Sequence, residues 1–164
     1  MTTDRDPALD PARDLRVERL IPAPAATLWR CLTEADRLRR WWVPSPVEIT
    51  DLVIEPQPGG RFFTHMRLPD GGEHRVEMMI LHAEPQHRLR FTDLMTAGFV
   101  PVAQPMFGFA AEIALIAEGA ATRYVAAARG GGGPPFCPPP PPCPPRGCQP
   151  PPRDGLSRRL GHGG

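Results

Sequence analysis

Lysine is absent from the sequence, and all 19 basic side chains are arginine. Together with the abundance of Ala, Pro, Gly and Arg, this points to a GC-rich coding sequence. Acidic and basic side chains nearly cancel, leaving a formal charge of +1. That excludes a general nucleic-acid binder, because phosphate binding needs clustered positive charge. No apolar run reaches the length of a transmembrane helix, so no membrane insertion is expected. The first residues, MTTDRDPALDPARD, are polar and acidic and lack the apolar centre of a signal peptide. The expected location is therefore cytoplasmic. Recognisable catalytic motifs are missing as well: there is no Ser/His/Asp set at an elbow, no HExxH and no phosphate-cradling glycine loop.

What remains is enough for one domain of ordinary size. Residues 1–14 carry Asp, Arg and Pro without periodicity and read as a flexible leader. Leu15 to Ile21 alternates apolar and polar, as a strand does. Pro22 and Pro24 stop it, and Pro24 suits the first turn of a helix, where its missing N–H is no loss. Leu28, Trp29, Leu32, Ala35 and Leu38 then recur at helical spacing. The pattern predicts one helical segment running out at Trp41-Trp42-Val43, ended by Pro44 and Pro46.

From residue 47 the period becomes two. Strands are predicted at about 47–55, 60–68, 74–83, 87–95, 107–117 and 121–129. Pro58-Gly59-Gly60 and Asp70-Gly71-Gly72 read as hairpin turns. A strand, a helical segment and a run of antiparallel strands make an α+β layout, with helices gathered on one side of a sheet. After Arg129 the composition changes to Gly and Pro, with three cysteines (Cys137, Cys143, Cys148) whose spacings fit no zinc pattern. Residues 130–164 are expected to be a disordered tail with local polyproline II.

Chemistry-bearing side chains are scattered. His65 and His82 could face a cavity, depending on register. Glu77 and Glu112 alternate with apolar neighbours and are expected to face solvent, while Asp93 is expected to close a local hydrogen bond. No catalytic residue, metal site or cofactor is expected, and the chain reads as more a binding protein than an enzyme. The inward apolar face carries more information. Trp42, Phe62, Met66, Met78, Ile80, Phe91, Phe107, Phe109 and Ile113 are the expected wall of a ligand cavity, because methionines and aromatics adapt to irregular apolar ligands.

Five blocks, LRVERLIPA, APAATLWRCLTEADRLRRWW, PGGRFFTHMRLPDGGEHR, QHRLRFTD and ATRYVAAAR, occur in an order that resembles the SRPBCC (START/polyketide-cyclase-like) superfamily over residues 15–129. The branch it resembles most is the one named after the activator of a heat-shock-protein ATPase. The resemblance implies a helix-grip fold, a curved antiparallel sheet with N-terminal helices wrapped round a long C-terminal helix. It also implies an apolar cavity that binds small hydrophobic molecules. A cyclase or hydrolase of the same fold, or an interaction module acting on a chaperone ATPase, are the other functions it allows.

The long C-terminal helix should follow ATRYVAAAR, and the Gly/Pro stretch stands in its place. In the branch resembled, the last segment carries a pattern close to Met-Gly-Phe-His-x-Gly-Trp-x-Thr-Ala. With permitted codons for DGLSRRLGHGG, the frame one base downstream reads Met-Gly-Phe-His-Asp-Gly-Trp-Gly-Thr-Ala. The segment therefore reads as a frameshifted closing helix, or else as a genuine Pro-rich tail for an SH3-like groove. Each large apolar side chain such a helix buries contributes roughly 1.5–3 kcal/mol, against a typical domain stability of about 5–15 kcal/mol. Impaired function and self-association through an exposed sheet are the expected consequences of its loss.

Overall fold

The computed structural model describes residues 9, 10 and 12–130. The leader and tail assignments at 1–8, 11 and 131–164 lie outside the described residues. Chain order is β1 (Asp14–Ile21), α1 (Ala25–Thr33), α2 (Ala35–Leu38), β2 (Glu48–Ile54), β3 (Arg61–Arg67), β4 (Glu73–Glu84), β5 (Arg88–Thr92), β6 (Met95–Thr96), β7 (Val100–Pro101), β8 (Phe109–Glu118) and β9 (Ala121–Gly130). Seven strands form one antiparallel sheet in the order β1-β9-β8-β5-β4-β3-β2, and β6 pairs with β7 alone. The fold is α+β, of the helix-grip class, with both described helices N-terminal.

The helical segment is two helices rather than one. Glu34 takes an extended conformation (φ −95°, ψ 117°) between them. Its carboxylate receives the guanidinium of Arg30 at 2.6 Å, and Arg37 from the far side. The break lets α2 turn so that Leu38, Trp41 and Trp42 all reach the core. The Trp41 indole N–H donates to the carbonyl of Cys31 at 3.3 Å, satisfying an open acceptor near the end of α1.

Period two decides which side chains enter the core. Directly opposed residues share a face, so the register runs inward through Val17, Ala126, Ile113 and Leu89, through Phe62 and Met78, and through Thr64 and Val76. The sheet pairing shifts between Ile80 and His82 in β4. A second shift lies between Ile49 and Asp51 in β2. Such bulges sharpen local twist and bend the strand.

The expected strand 87–95 ends at Thr92, because Asp93 diverts the chain into an excursion that holds the unforeseen β6–β7 hairpin. Asp93 is buried, and its bonds are not local in sequence. One carboxylate oxygen accepts the N–H groups of Phe107 (2.7 Å) and Gly108 (3.0 Å), and the other accepts that of Phe109 (2.8 Å). Three donors on one carboxylate fix where β8 begins. The hairpin is tied back to the β2–β3 turn by the Gly98 N–H, which donates to the Gly59 carbonyl at 3.0 Å.

Candidate functional site

An apolar cavity of about 410 Å³ opens between the sheet and the segment after α2. Trp42, Val43, Pro44 and Val47 form one wall; Thr64, Met66 and Leu68 of the β3 region and His74, Val76 and Met78 of β4 form the floor; Met106, Phe107 and Phe109 close the third side. The inner end, at Trp42, Thr64, Val76, Met78 and Phe109, is buried, whereas His74 and Met106 are exposed at the mouth. The cavity exists because β5 stops at Thr92. Beyond that point the first half of β4 has β3 on one side only, and the loop held by Asp93 supplies the missing wall.

Of the nine expected wall residues, the structure brings Trp42, Met66, Met78, Phe107 and Phe109 to this cavity. Phe62, Ile80, Phe91 and Ile113 lie deeper, fully buried in the core. Phe62 and Phe91 sit 5.2 Å apart, at 5.2 and 5.7 Å from Trp42, with Phe91 also 5.9 Å from Phe109. This aromatic cluster backs the inner end of the cavity. The Phe62–Phe91 and Phe91–Phe109 pairs meet edge-on, at 72° and 87°, an arrangement that aromatic rings favour.

His65 and His82 do not face the cavity. His65 follows Thr64 on the opposite face and lies 3.3 Å from Glu73. His82 comes after the pairing shift of β4 and points outward beside Glu84. Glu77 and Glu112 also lie on the outer face, held by Arg61 (2.5 and 3.1 Å) and by Arg90 respectively. The Glu77 carboxylate raises the pKa of Arg61, chiefly through that hydrogen bond. His74, not singled out by sequence reasoning, is the histidine on the cavity wall. The signal was available: His74, Val76 and Met78 alternate on one face, as do Phe62, Thr64 and Met66. Met106 lies in an irregular loop and has no periodicity to reveal it.

The electrostatics of the two faces differ. The outer face is laced with Arg–carboxylate pairs, including Arg123 between Glu118 (2.5 Å) and Glu18 (2.6 Å). Hydrogen bonding to these carboxylates raises the Arg123 pKa, and that to Arg123 lowers the Glu18 pKa. The cavity wall carries no arginine or carboxylate. Among the described residues, no three His, Cys, Asp or Glu come together in a way that could hold a metal ion. No helix among them is long and apolar enough to cross a membrane.

The family model described as "Activator of Hsp90 ATPase homolog 1-like protein" matches residues 22–133. The chain belongs to this family. Among solved structures, a protein of Nitrosomonas europaea is 31% identical, with 74% of this chain and 77% of that one covered and a TM-score of 0.70. A Rhodobacter sphaeroides protein is 23% identical over 73% of this chain and 72% of its own, at a TM-score of 0.60. An AHSA1-like protein from Aeromonas hydrophila is 19% identical over 70% and 73%, at 0.56. The last two show likeness of fold alone. No curated protein matches the chain. Family and fold together place it in the SRPBCC-type superfamily that the five sequence blocks resemble.

Proposed function

We propose that this protein binds a small hydrophobic molecule, non-covalently and without a cofactor, in the cavity between β3, β4 and the Trp42–Val47 segment. The observation that carries the reading is the cavity itself. Its volume of about 410 Å³ falls within the range of small-molecule sites, roughly 300–1,000 Å³. Its wall is almost wholly apolar, and Met66, Met78 and Met106 offer side chains that adapt to an irregular guest. The driving force is removal of apolar ligand area from water, about 25 cal/mol per Å².

The test is a titration with diphenylhexatriene, an uncharged hydrocarbon that fluoresces when it leaves water. The protein binds it saturably. Met66→Trp, which fills the cavity from its partly exposed side, weakens binding at least about tenfold, or 1.4 kcal/mol. His65→Ala and His82→Ala, on the other face, leave it unchanged. Absence of saturable binding, or a Met66→Trp variant that binds equally well, rejects the reading.

Membership of the activator family favours a second reading, an interaction module acting on a chaperone ATPase. A pull-down with the heat-shock ATPase, with and without nucleotide, separates the two, and no enrichment removes it. Cyclase or hydrolase chemistry in the same cavity would depend on polar side chains of its wall such as Thr64 and His74.

A further inference from the structure

Five polar or charged residues are buried among the described ones: Asp14, Thr64, Thr92, Asp93 and Thr122. Two of the three threonines are satisfied within the fold. The Thr92 hydroxyl donates to the Phe109 carbonyl at 2.6 Å, and the Thr122 hydroxyl to the Ala23 carbonyl at 2.7 Å. Thr64 is 1% exposed, yet its hydroxyl has no hydrogen-bond partner among the described residues. Its cross-strand neighbours offer none. Thr64 stands opposite Leu52 on one side and Val76 on the other, both buried and aliphatic. Valine would fit this row with the same shape and no polar atom to satisfy.

The Thr64 hydroxyl oxygen is not sealed off among the atoms that are both buried and unpartnered, so the little exposure the residue keeps serves its polar atom. Thr64 lies on the cavity wall, on the face shared with Phe62 and Met66, at the buried inner end. The open space its hydroxyl can address is therefore the cavity, where a guest would meet it. A hydroxyl both donates and accepts, so it suits an alcohol, phenol, ketone or ester oxygen. A carboxylate or phosphate is poorly served, because no arginine lines the wall and His74 sits out at the mouth.

Resting on the cavity reading above, we infer that Thr64 is the polar anchor of the site. The ligand class is then an uncharged, mainly hydrocarbon molecule carrying a neutral oxygen at the end that enters first. The hydroxyl sets the direction in which the guest lies, and the apolar wall supplies most of the binding.

The experiment displaces diphenylhexatriene from the full chain with decane, decan-1-ol and decanoate. In the unaltered protein decan-1-ol competes better than decanoate. Thr64→Val weakens decan-1-ol relative to decane by roughly two- to tenfold, the worth of one neutral hydrogen bond, each displacement being scaled to that protein's own affinity for the probe. Thr64→Ser, which keeps the hydroxyl, retains the preference. An unchanged decan-1-ol to decane ratio in Thr64→Val, or a preference for decanoate, overturns the inference while the cavity reading stands. Failure of the unaltered protein to take up diphenylhexatriene fails the cavity reading itself, and the inference with it. A cooperative thermal transition matching that of the unaltered protein shows that Thr64→Val folds, and Thr64→Ser carries the test if it does not.

Discussion

The Asp93 carboxylate accepts the Phe109 N–H at 2.8 Å, inside the sheet, at the point where β8 begins. The same carboxylate holds the N–H groups of Phe107 and Gly108. Removing it leaves these donors near a buried apolar cluster, at about 1–3 kcal/mol for each that stays unsatisfied. Asp93→Ala is therefore expected to lower stability by about 2–4 kcal/mol in urea unfolding. Because Phe107 and Phe109 line the cavity, it also weakens diphenylhexatriene binding. Asp93→Asn, which keeps an acceptor oxygen, falls between.

Phe99 lies across Gly59. Gly59 has φ +79°, and a Cβ there would stand 2.7 Å from Phe99 Cε2. Gly59→Ala combines a left-handed backbone with a close contact, so a loss of about 1–3 kcal/mol is expected. Phe99→Ala relieves the contact but not the backbone strain. The double variant should recover part of the loss, and urea midpoints for the four proteins measure the coupling. Strict additivity would show that the ring contact does not matter.

The break between α1 and α2 has a pH signature. Hydrogen bonding to Arg30, then to Arg37, lowers the Glu34 pKa below its usual 4.5, with desolvation opposing. A depressed carboxylate contributes stability that is fully present above the unfolded value and is lost as the pH falls through the folded one. Glu34→Gln should therefore narrow the difference in melting temperature between neutral pH and a pH of about 3.5. The effect is small, because the pair is solvent-screened. An unchanged difference would mean that Glu34 contributes nothing there.

Residues 131–164 supply a genetic prediction. If they are an out-of-frame copy of a closing helix, resequencing from the Arg129 codon finds a one-base correction. The corrected chain is then expected to give a higher soluble yield and a cooperative thermal transition. A gene that reads as written, with an equally cooperative transition, contradicts this and makes the Pro/Gly stretch genuine.

Much of the sheet was legible because alternation is a local signal. Phe62, Thr64 and Met66 announce their common face from spacing alone, and the Asp70-Gly71-Gly72 turn announces the hairpin. The helix break at Glu34 was not legible, since Leu32, Ala35 and Leu38 keep helical spacing across it. The excursion from Asp93 to Phe107 was hidden for a different reason. It is fixed by three backbone bonds to one carboxylate, fourteen to sixteen residues away, which no periodicity encodes. That loop also decides the cavity, so Met106 was not placed on its wall, and Phe62, Phe91, Ile80 and Ile113 could not be told apart from the residues that reach it. Register explains His65 and His82, because an odd offset in β3 and a pairing shift in β4 turn both outward.

The central claim is that an uncharged apolar guest enters this one cavity. The methionine methyl groups test it most directly. Met66, Met78 and Met106 line the site, whereas Met79 faces the other side of β4, where its sulfur lies 3.2 Å from the Phe99 nitrogen, and Met95 lies in the hairpin. In a methyl-labelled sample titrated with decan-1-ol, the resonances of Met66, Met78 and Met106 shift and saturate together, and those of Met79 and Met95 stay in place. Shifts confined to Met79 and Met95, or no saturable shift at all, would contradict the account.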